Sequence, residues 1–73
     1  HLALYAKNNG LEFYDSILKN ASYVLKDKYL IAFEIGMDQG RNIEALAKKY
    51  LSNSIVEIEK DLSGKDRFIF VYN

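Results

Sequence analysis

A glutamate near the end of an apolar stretch is the residue best placed to do chemistry. The stretch is Y-L-I-A-F-E-I-G, residues 29–36, and Glu34 stands two residues before its terminal glycine. Open α/β sheets bind their ligands at the carboxyl ends of strands, so Glu34 is a candidate substrate-side residue. Glu34 can equally cap a helix N-terminus or pair with a nearby Lys or Arg, and its position in the sequence leaves both interpretations open.

A second candidate is the turn formed by Asn8, Asn9 and Gly10, in which Asn9 and Gly10 can face a substrate. Asn9 also has the residue type of a helix N-cap, and Glu12, three residues later, completes the pattern of a capping box. We favour the capping interpretation, because Asn is among the residues preferred at the start of a helix.

The sequence lacks the residues of a complete catalytic site, and we predict no catalytic, cofactor-binding or metal-binding residue within it. There is no Cys, and the single His is His1, so a Ser-His-Asp or Cys-His arrangement cannot be assembled convincingly. No glycine-rich dinucleotide-binding loop or P-loop is present. Glu34 and Asp38 form a single pair of carboxylates, which is weak support for a metal site.

Composition and charge indicate one small globular domain over residues 1–73. Hydrophobic residues make up 49% of the chain and charged residues 27%, with ten basic residues balancing ten acidic ones. A neutral chain has no electrostatic footprint for nucleic acid or an anionic membrane, and no apolar run is long enough to cross a bilayer. The absence of Cys fits a reducing compartment such as the cytoplasm. Because the sequence begins with His1 and not with an initiator Met, we expect it to be a piece of a longer protein.

Hydrophobic periodicity predicts an α/β chain with the order helix, strand, helix, strand, strand. The first helix carries apolar residues at spacings of three and four: Leu11, Tyr14, Ile17, Leu18, Ala21, Val24 and Leu25. The second helix takes Asp38 as its N-cap and runs to about Leu51. Residues 54–60 and 67–72 are predicted to form an antiparallel hairpin around a turn that contains Gly64.

The predicted strand over residues 29–35 has the composition of a central strand. Its apolar run does not alternate with polar residues, so we expect cover on both faces and a neighbouring strand on each side. A mixed sheet of three predicted strands leaves one of these neighbours missing. We therefore expect an unpaired edge on this strand, through which the chain self-associates.

Three segments together resemble the HemK/PrmC family of release-factor glutamine methyltransferases. Ala3 and Leu4, followed by N-G-L-E-F-Y at 9–14, resemble the family segment A-L-x-G-G-x-D-G-L-D-F-Y. The sequence E-I-G-M-D-Q at 34–39 is similar to the family's E-I-G-x-x-Q, and D-L-S-G-K-D-R at 61–67 is similar to its D-L-x-G-x-D-R. The three segments follow the family's order and spacing and span essentially the whole chain.

The resemblance implies the C-terminal part of a class I, Rossmann-like methyltransferase fold. In that fold the last strand is antiparallel and lies between the two strands that precede it, which here are residues 29–35 and 54–60. The resemblance also implies that the intact, cytoplasmic enzyme transfers a methyl group from S-adenosylmethionine. The acceptor is the side-chain amide of the glutamine in the Gly-Gly-Gln motif of peptide chain release factors, which act in translation termination.

Parts of the family's site are absent from this sequence. The glycine-rich cofactor loop and the Asn-Pro-Pro-Tyr motif that holds the substrate glutamine lie upstream in the family, and Ala6 and Lys7 replace its paired glycines. The resemblance therefore implies a C-terminal fragment of the catalytic domain that is inactive alone and does not bind the cofactor tightly. The alternative is a stand-alone α/β module that binds a protein partner through a sheet edge.

Overall fold

The part of the chain that the structure describes folds into one sheet and two helices. The computed structural model describes residues 2–7, 10–24 and 27–73. The elements are β1 (Leu2–Lys7), α1 (Leu11–Val24), β2 (Tyr29–Glu34), α2 (Gly40–Tyr50), β3 (Ile55–Lys60) and β4 (Asp66–Tyr72). The α/β class and the five predicted elements are confirmed, with their ends shifted by a few residues, and β1 precedes them. Neither helix within the described residues is long and apolar enough to cross a bilayer.

The four strands lie in the order β1-β2-β4-β3. β1 runs parallel to β2, whereas β4 is antiparallel to both β2 and β3. The predicted hairpin of the last two strands is confirmed. The last strand of the sequence lies between the two that precede it, which is the arrangement that the family resemblance implied.

The prediction of a three-stranded sheet is wrong, because β1 adds a fourth strand. Leu2–Lys7 shows no alternation of polar and apolar residues, and its extended form follows from backbone pairing with Tyr29–Glu34. β2 therefore has a neighbour on each side, and the predicted unpaired edge on this strand is also wrong. Within the described residues, the sheet edges are β1 and β3.

A single hydrophobic core lies between the helices and one face of the sheet. β2 contributes alternate residues to it, and the helices contribute residues from the predicted stripes. The core consists of Tyr14, Leu18, Ala21, Tyr29, Ile31, Phe33, Ile35, Ile43, Ala47, Leu51, Ile69 and Val71. Because both helices pack on this one face, the prediction that β2 is covered on both faces is wrong for this chain.

The other face of the sheet, which we call the open sheet face, carries no helix within the described residues. Strand register and burial place on it alternate residues of all four strands: Ala3, Tyr5, Leu30, Ala32, Glu34, Ile55, Glu57, Glu59, Phe68, Phe70 and Tyr72. The rings of Phe68 and Phe70 stack with their centroids 6.3 Å apart. This face is therefore largely apolar, and Glu34 and Glu59 lie on either side of Phe68 towards one end of it.

Two residues shape the turn between β3 and β4. Gly64 has a φ of 84°, a left-handed conformation that costs an L side chain about 1–2 kcal/mol. The Asp61 carboxylate accepts hydrogen bonds from the Lys65 amide (3.0 Å), the Ser63 amide (2.9 Å) and the Ser63 hydroxyl (2.9 Å). The bond from the Lys65 amide is the main cause that lowers the pKa of Asp61. The turn therefore favours an ionised Asp61.

The start of α2 differs from the prediction. Residues 37–39 form a turn in which the Gln39 amide donates to the Gly36 carbonyl (3.1 Å), and Gln39 is the N-cap residue. The prediction of Asp38 as the N-cap is therefore wrong. The Gln39 side chain bonds the Gly36 amide at 2.7 Å and makes no capping hydrogen bond to the helix.

Gly40 allows α2 to approach β4 closely. A Cβ atom at this position would overlap one carboxylate oxygen of Asp66 and lie 3.2 Å from Ile58 Cδ1. The other carboxylate oxygen of Asp66 accepts a hydrogen bond from Lys60 Nζ at 2.6 Å. Because Gly40 has no side chain, there is room for the ion pair between Lys60 and Asp66 where β3 and β4 meet the turn.

We predict that Gly40→Ala lowers the free energy of unfolding by about 1 kcal/mol. Overpacking lowers stability by about 1–3 kcal/mol. The higher helix propensity of Ala offsets up to about 1 kcal/mol of this loss. Asp66 must rotate and release Lys60. Urea unfolding followed by circular dichroism measures the change.

The matched control places Gly40→Ala in an Asp66→Ala background, where the overlapping oxygen is gone. There the substitution should be neutral or stabilising. An equal loss in both backgrounds would contradict the proposed overlap.

Candidate functional site

The carboxyl end of β2 opens into a pocket of about 400 Å³. The pocket lies between the loop that joins β2 to α2 and the turn that joins β3 to β4. Its lining residues are Glu34, Ile35, Gly36, Met37, Asp61, Ser63, Lys65, Asp66 and Arg67. Two of the sequence segments that carry the family resemblance, 34–39 and 61–67, thus supply the two walls of one cavity.

Glu34 is held by two tyrosines from different elements. Tyr5 of β1 donates its hydroxyl hydrogen to Glu34 Oε1 at 2.9 Å, and Tyr14 of α1 donates to the Glu34 carbonyl oxygen at 2.7 Å. Tyr14 is fully buried, and its ring packs edge-to-face on Phe33 with centroids 4.8 Å apart. The core therefore fixes the backbone of Glu34, while Tyr5 fixes its carboxylate.

The backbone that follows Glu34 is held on both sides. The Ile35 amide donates to the Arg67 carbonyl at 2.9 Å, which extends the pairing of β2 with β4 by one bond. The Gly36 amide donates to Gln39 Oε1 at 2.7 Å. Each of these buried or half-buried donors has a partner, so the pocket wall is an ordered piece of backbone.

The pocket combines both signs of charge. Glu34, Asp61 and Asp66 are its acidic residues, and Lys65 and Arg67 are its basic residues. Such a lining can accept hydrogen bonds from amide N–H groups and donate them to carbonyl oxygens, which suits a polypeptide segment. Met37, with 63% of its surface exposed, adds an adaptable apolar contact.

The pocket has no arrangement for nucleophilic catalysis within the described residues. The Ser63 hydroxyl donates to Asp61 Oδ1 at 2.9 Å, but a hydroxyl activated in this way also needs a base such as His. The only His of the chain, His1, lies outside the described residues. Across residues 2–7, 10–24 and 27–73, no group of three His, Cys, Asp or Glu residues could hold a metal ion.

The structure places two of the three predicted site residues, Glu34 and Gly10, near the carboxyl ends of the parallel strands β1 and β2. Glu34 lines the pocket, and Gly10 lies at the start of α1, where its carbonyl accepts a hydrogen bond from the Phe13 amide at 3.0 Å. Because β1 and β2 are parallel and Lys7 pairs with Glu34, β1 ends beside Glu34, three residues before Gly10 in the sequence. Asn9 lies outside the described residues, so its predicted roles are not tested. Asp38 is exposed and does not line the pocket.

Among the residues that line the pocket, sequence reasoning named only Glu34 as a site residue, and it also missed Tyr5, which bonds the Glu34 carboxylate. Tyr5 escaped notice because β1 was not predicted as a strand, and only its register with β2 brings the phenol to Glu34. Lys65 follows the glycine of a hairpin turn, where a charged residue ordinarily faces solvent. Met37 carried no signal beyond its place in the segment that follows Glu34.

Several curated proteins named release factor glutamine methyltransferase are similar to this chain. The protein from Bacillus anthracis is 37% identical over 68 residues, which is 93% of this chain and 24% of that protein. The protein from Enterococcus faecalis is 42% identical over 65 residues, 89% of this chain and 24% of that protein. The protein from Clostridium botulinum is 43% identical over 67 residues, 92% of this chain and 23% of that protein.

The chain thus spans about a quarter of the length of the curated relatives it matches, and the match lies in their C-terminal part. A solved structure is also similar: the release factor-specific protein-(glutamine-N5) methyltransferase from Alicyclobacillus acidocaldarius. It has a TM-score of 0.75 and 27% sequence identity, over 93% of this chain and 47% of that one. No protein-family model matches the chain.

We predict that Glu34→Gln lowers the pKa of Tyr5 towards its ordinary value of 10.0. The hydrogen bond to the Glu34 carboxylate is the main cause that raises the pKa of Tyr5, and a neutral amide acceptor favours the protonated phenol less. NMR of ring carbons across an alkaline pH series measures the shift, with Tyr5→Phe assigning the signal. The matched control is Glu57→Gln, which should lower the pKa of Tyr72, raised by its bond to Glu57, and leave Tyr5 unchanged.

The same hydrogen bond makes the stability of the fold depend on pH. A raised pKa means that the folded state holds the phenol proton more tightly, so the stabilisation is present below pH 10 and is lost as the pH rises through the folded-state pKa. Glu34→Gln should therefore flatten the alkaline loss of stability. A steeper loss in the variant would contradict this account.

Proposed function

The chain belongs to the release factor glutamine methyltransferase family, HemK/PrmC, and on that premise we propose that it is the C-terminal part of such an enzyme's catalytic domain. The intact protein would transfer a methyl group from S-adenosylmethionine to the side-chain amide of the glutamine in the Gly-Gly-Gln motif of peptide chain release factors, in the cytoplasm. The observation that carries this proposal is that 34–39 and 61–67, two of the three segments with the family's sequence pattern, meet in one pocket.

In this proposal the chain contributes to substrate positioning. An amide nitrogen is a weak nucleophile, so orientation of the amide relative to the methyl donor supplies much of the rate enhancement. Glu34 accepts hydrogen bonds from amide N–H groups of the release-factor segment, and Arg67 and Lys65 bind its carbonyl oxygens. Gly10 and Asn9 remain substrate-side proposals, since they follow in the sequence the end of β1, where Lys7 pairs with Glu34.

We assign no cofactor contact to this chain. S-adenosylmethionine supplies the electrophilic sulfonium methyl group, but the sequence contains no glycine-rich turn to hold it. The pocket lining is mostly charged and polar, and the described residues offer no aromatic or apolar slot there for an adenine ring. The 73-residue chain alone is therefore proposed to bind the cofactor weakly and to be inactive.

The open sheet face has a place in the same proposal. Parallel strands are normally covered on both faces, and here stacked phenylalanines lie on a face that carries no helix among the described residues. We propose that the rest of the enzyme covers this face. In the isolated chain, the same face and the edges at β1 and β3 are available for self-association.

A binding module is the second candidate function, and the open sheet face is the observation that favours it. Tyr5 has 58% of its surface exposed and Ile55 has 50%, on a face that also carries Phe68 and Phe70. A module of this kind binds a protein partner and transfers no methyl group. Methyl transfer therefore distinguishes the two candidates.

We predict that the protein encoded by the whole open reading frame that contains this chain methylates a peptide chain release factor. Incorporation of label from S-[methyl-³H]adenosylmethionine measures the reaction, and mass spectrometry locates the methyl group on the glutamine. The matched substrate control replaces that glutamine with Glu, which removes the amide acceptor. The 73-residue chain alone should give no incorporation.

Absence of methyl transfer by the whole protein would overturn the proposed function and favour the binding module. Label in the Glu control would place the methyl group on a different acceptor. Activity of the 73-residue chain by itself would contradict the assignment of the cofactor site to other parts of the enzyme.

A further inference from the structure

Leu62 is a large apolar residue that the fold of this chain does not use. It is fully exposed and is not part of the hydrophobic core of the described residues. It occupies the second position of the turn in which the Gly64 amide donates to the Asp61 carbonyl at 3.0 Å. Gly, Pro, Asn, Asp and Ser are the residues that stabilise turns, so Leu62 does not serve the turn either. Its side chain is therefore available for a contact with another molecule.

Leu62 lies at the rim of the pocket at the carboxyl end of β2. Its two neighbours in the sequence, Asp61 and Ser63, both line that pocket. On the other wall, Met37 is also an exposed apolar residue. The polar pocket thus has an exposed apolar side chain on each of its two walls. This combination fits an extended polypeptide, whose backbone N–H and C=O groups need polar partners while its side chains contact the apolar residues.

The turn that carries Leu62 is held by its own hydrogen bonds. The Asp61 carboxylate accepts from the Ser63 amide, the Ser63 hydroxyl and the Lys65 amide. The Asp61 amide also donates to the Lys65 carbonyl at 2.8 Å. All of these groups lie within residues 61–65, so the shape of the turn does not depend on β1 or on what covers the open sheet face. A side chain on an ordered turn loses little backbone entropy when it binds.

Leu62 is separate from the open sheet face. β3 ends at Lys60 and β4 begins at Asp66, so Leu62 lies in the connecting turn and on neither face of the sheet. The turn stands at the end of the sheet where β2 ends, because Glu34 pairs with Phe68 near the start of β4. Leu62 is therefore at the edge to which the proposed function assigns the release-factor segment, and cover of the open sheet face does not by itself bury it.

We propose that Leu62 is an anchor residue, which binds an apolar side chain of the release factor in the segment that flanks the substrate glutamine. This inference rests on the proposed function and names a residue that determines which segment is bound. Leu62 touches no reacting atom and no part of the cofactor. Its contribution is to the affinity for the release factor and not to the chemical step, so its loss should change KM and leave kcat unchanged.

The test uses the intact enzyme, with Leu62→Ser and Leu62→Met assayed for methyl transfer to the release factor. Leu62→Ser should raise KM for the release factor about tenfold, the order of effect expected when an apolar contact at an interface is removed. The values of kcat and of KM for S-adenosylmethionine should stay unchanged. Leu62→Met keeps the volume and the apolar character of the side chain, so it should retain the KM of the unmodified enzyme.

The matched control is Val24→Ser, because Val24 is also an exposed aliphatic residue but does not line this pocket. It should leave both KM values unchanged. Alanine substitution of each apolar residue that flanks the glutamine in the release factor completes a double-mutant cycle with Leu62→Ser. For one of these residues, the loss seen with the unmodified enzyme should disappear in Leu62→Ser. Additive losses for all of them would overturn the proposal.

Thermal unfolding distinguishes the release factor from another part of the enzyme as the partner of Leu62. Leu62→Ser should leave the melting temperature unchanged in the intact enzyme, as in the 73-residue chain, where the side chain is exposed. A loss of stability confined to the intact enzyme would show that the enzyme itself covers Leu62 and would overturn the proposal. An unchanged KM for the release factor, or a raised KM for S-adenosylmethionine, would overturn it as well.

Failure of the proposed function has a different signature. In that case the unmodified enzyme transfers no methyl group, while fluorescence anisotropy of a labelled release factor still measures its binding. Binding that weakens about tenfold in Leu62→Ser, without methyl transfer, would support the anchor and overturn the proposed reaction. Methyl transfer with a KM that does not depend on Leu62 would overturn the anchor and leave the proposed function intact. Absence of both binding and methyl transfer would overturn both.

Discussion

The pairing of β4 with two strands at once is the constraint on which the rest of the structure depends. β4 is the last strand in the sequence, yet it lies between β2 and β3 and is antiparallel to both. The amide of Ile35 extends this pairing by donating to the Arg67 carbonyl at 2.9 Å. The hairpin turn is therefore held beside the loop that follows β2, and two distant segments of the sequence become the walls of one pocket.

Core and pocket are joined through Tyr14. Its ring is fully buried and packs on Phe33, while its hydroxyl bonds the Glu34 carbonyl at the pocket wall. The position of α1 on the sheet thus also sets the position of the Glu34 backbone. The carboxylate of Glu34, by contrast, is held from β1, on the face of the sheet that has no helix in the described part of the chain.

Local sequence patterns predicted the elements in which buried residues recur at a regular spacing along one face. The stripe of α1 correctly identified Tyr14, Leu18 and Ala21 as buried, because a helix on a sheet presents one face along its length. The same stripe failed at the ends of the helix, where Leu11 and Val24 are exposed. An apolar periodicity shows which face of a helix turns inwards, but it does not show how far the surface beneath that face extends.

The sequence alone determined the α/β class, the five elements after β1, the final hairpin and the resemblance to a methyltransferase family, since these depend on residue spacing within short segments. Tertiary structure alone decided that Leu2–Lys7 is a strand, that α2 begins after Gln39 and that Tyr5 reaches Glu34. Each of these three features depends on a partner that the local pattern does not reveal. Strand β1 is defined by pairing, the turn before α2 by hydrogen bonds at Gly36, and the Tyr5–Glu34 contact by the register of two strands separated by a helix.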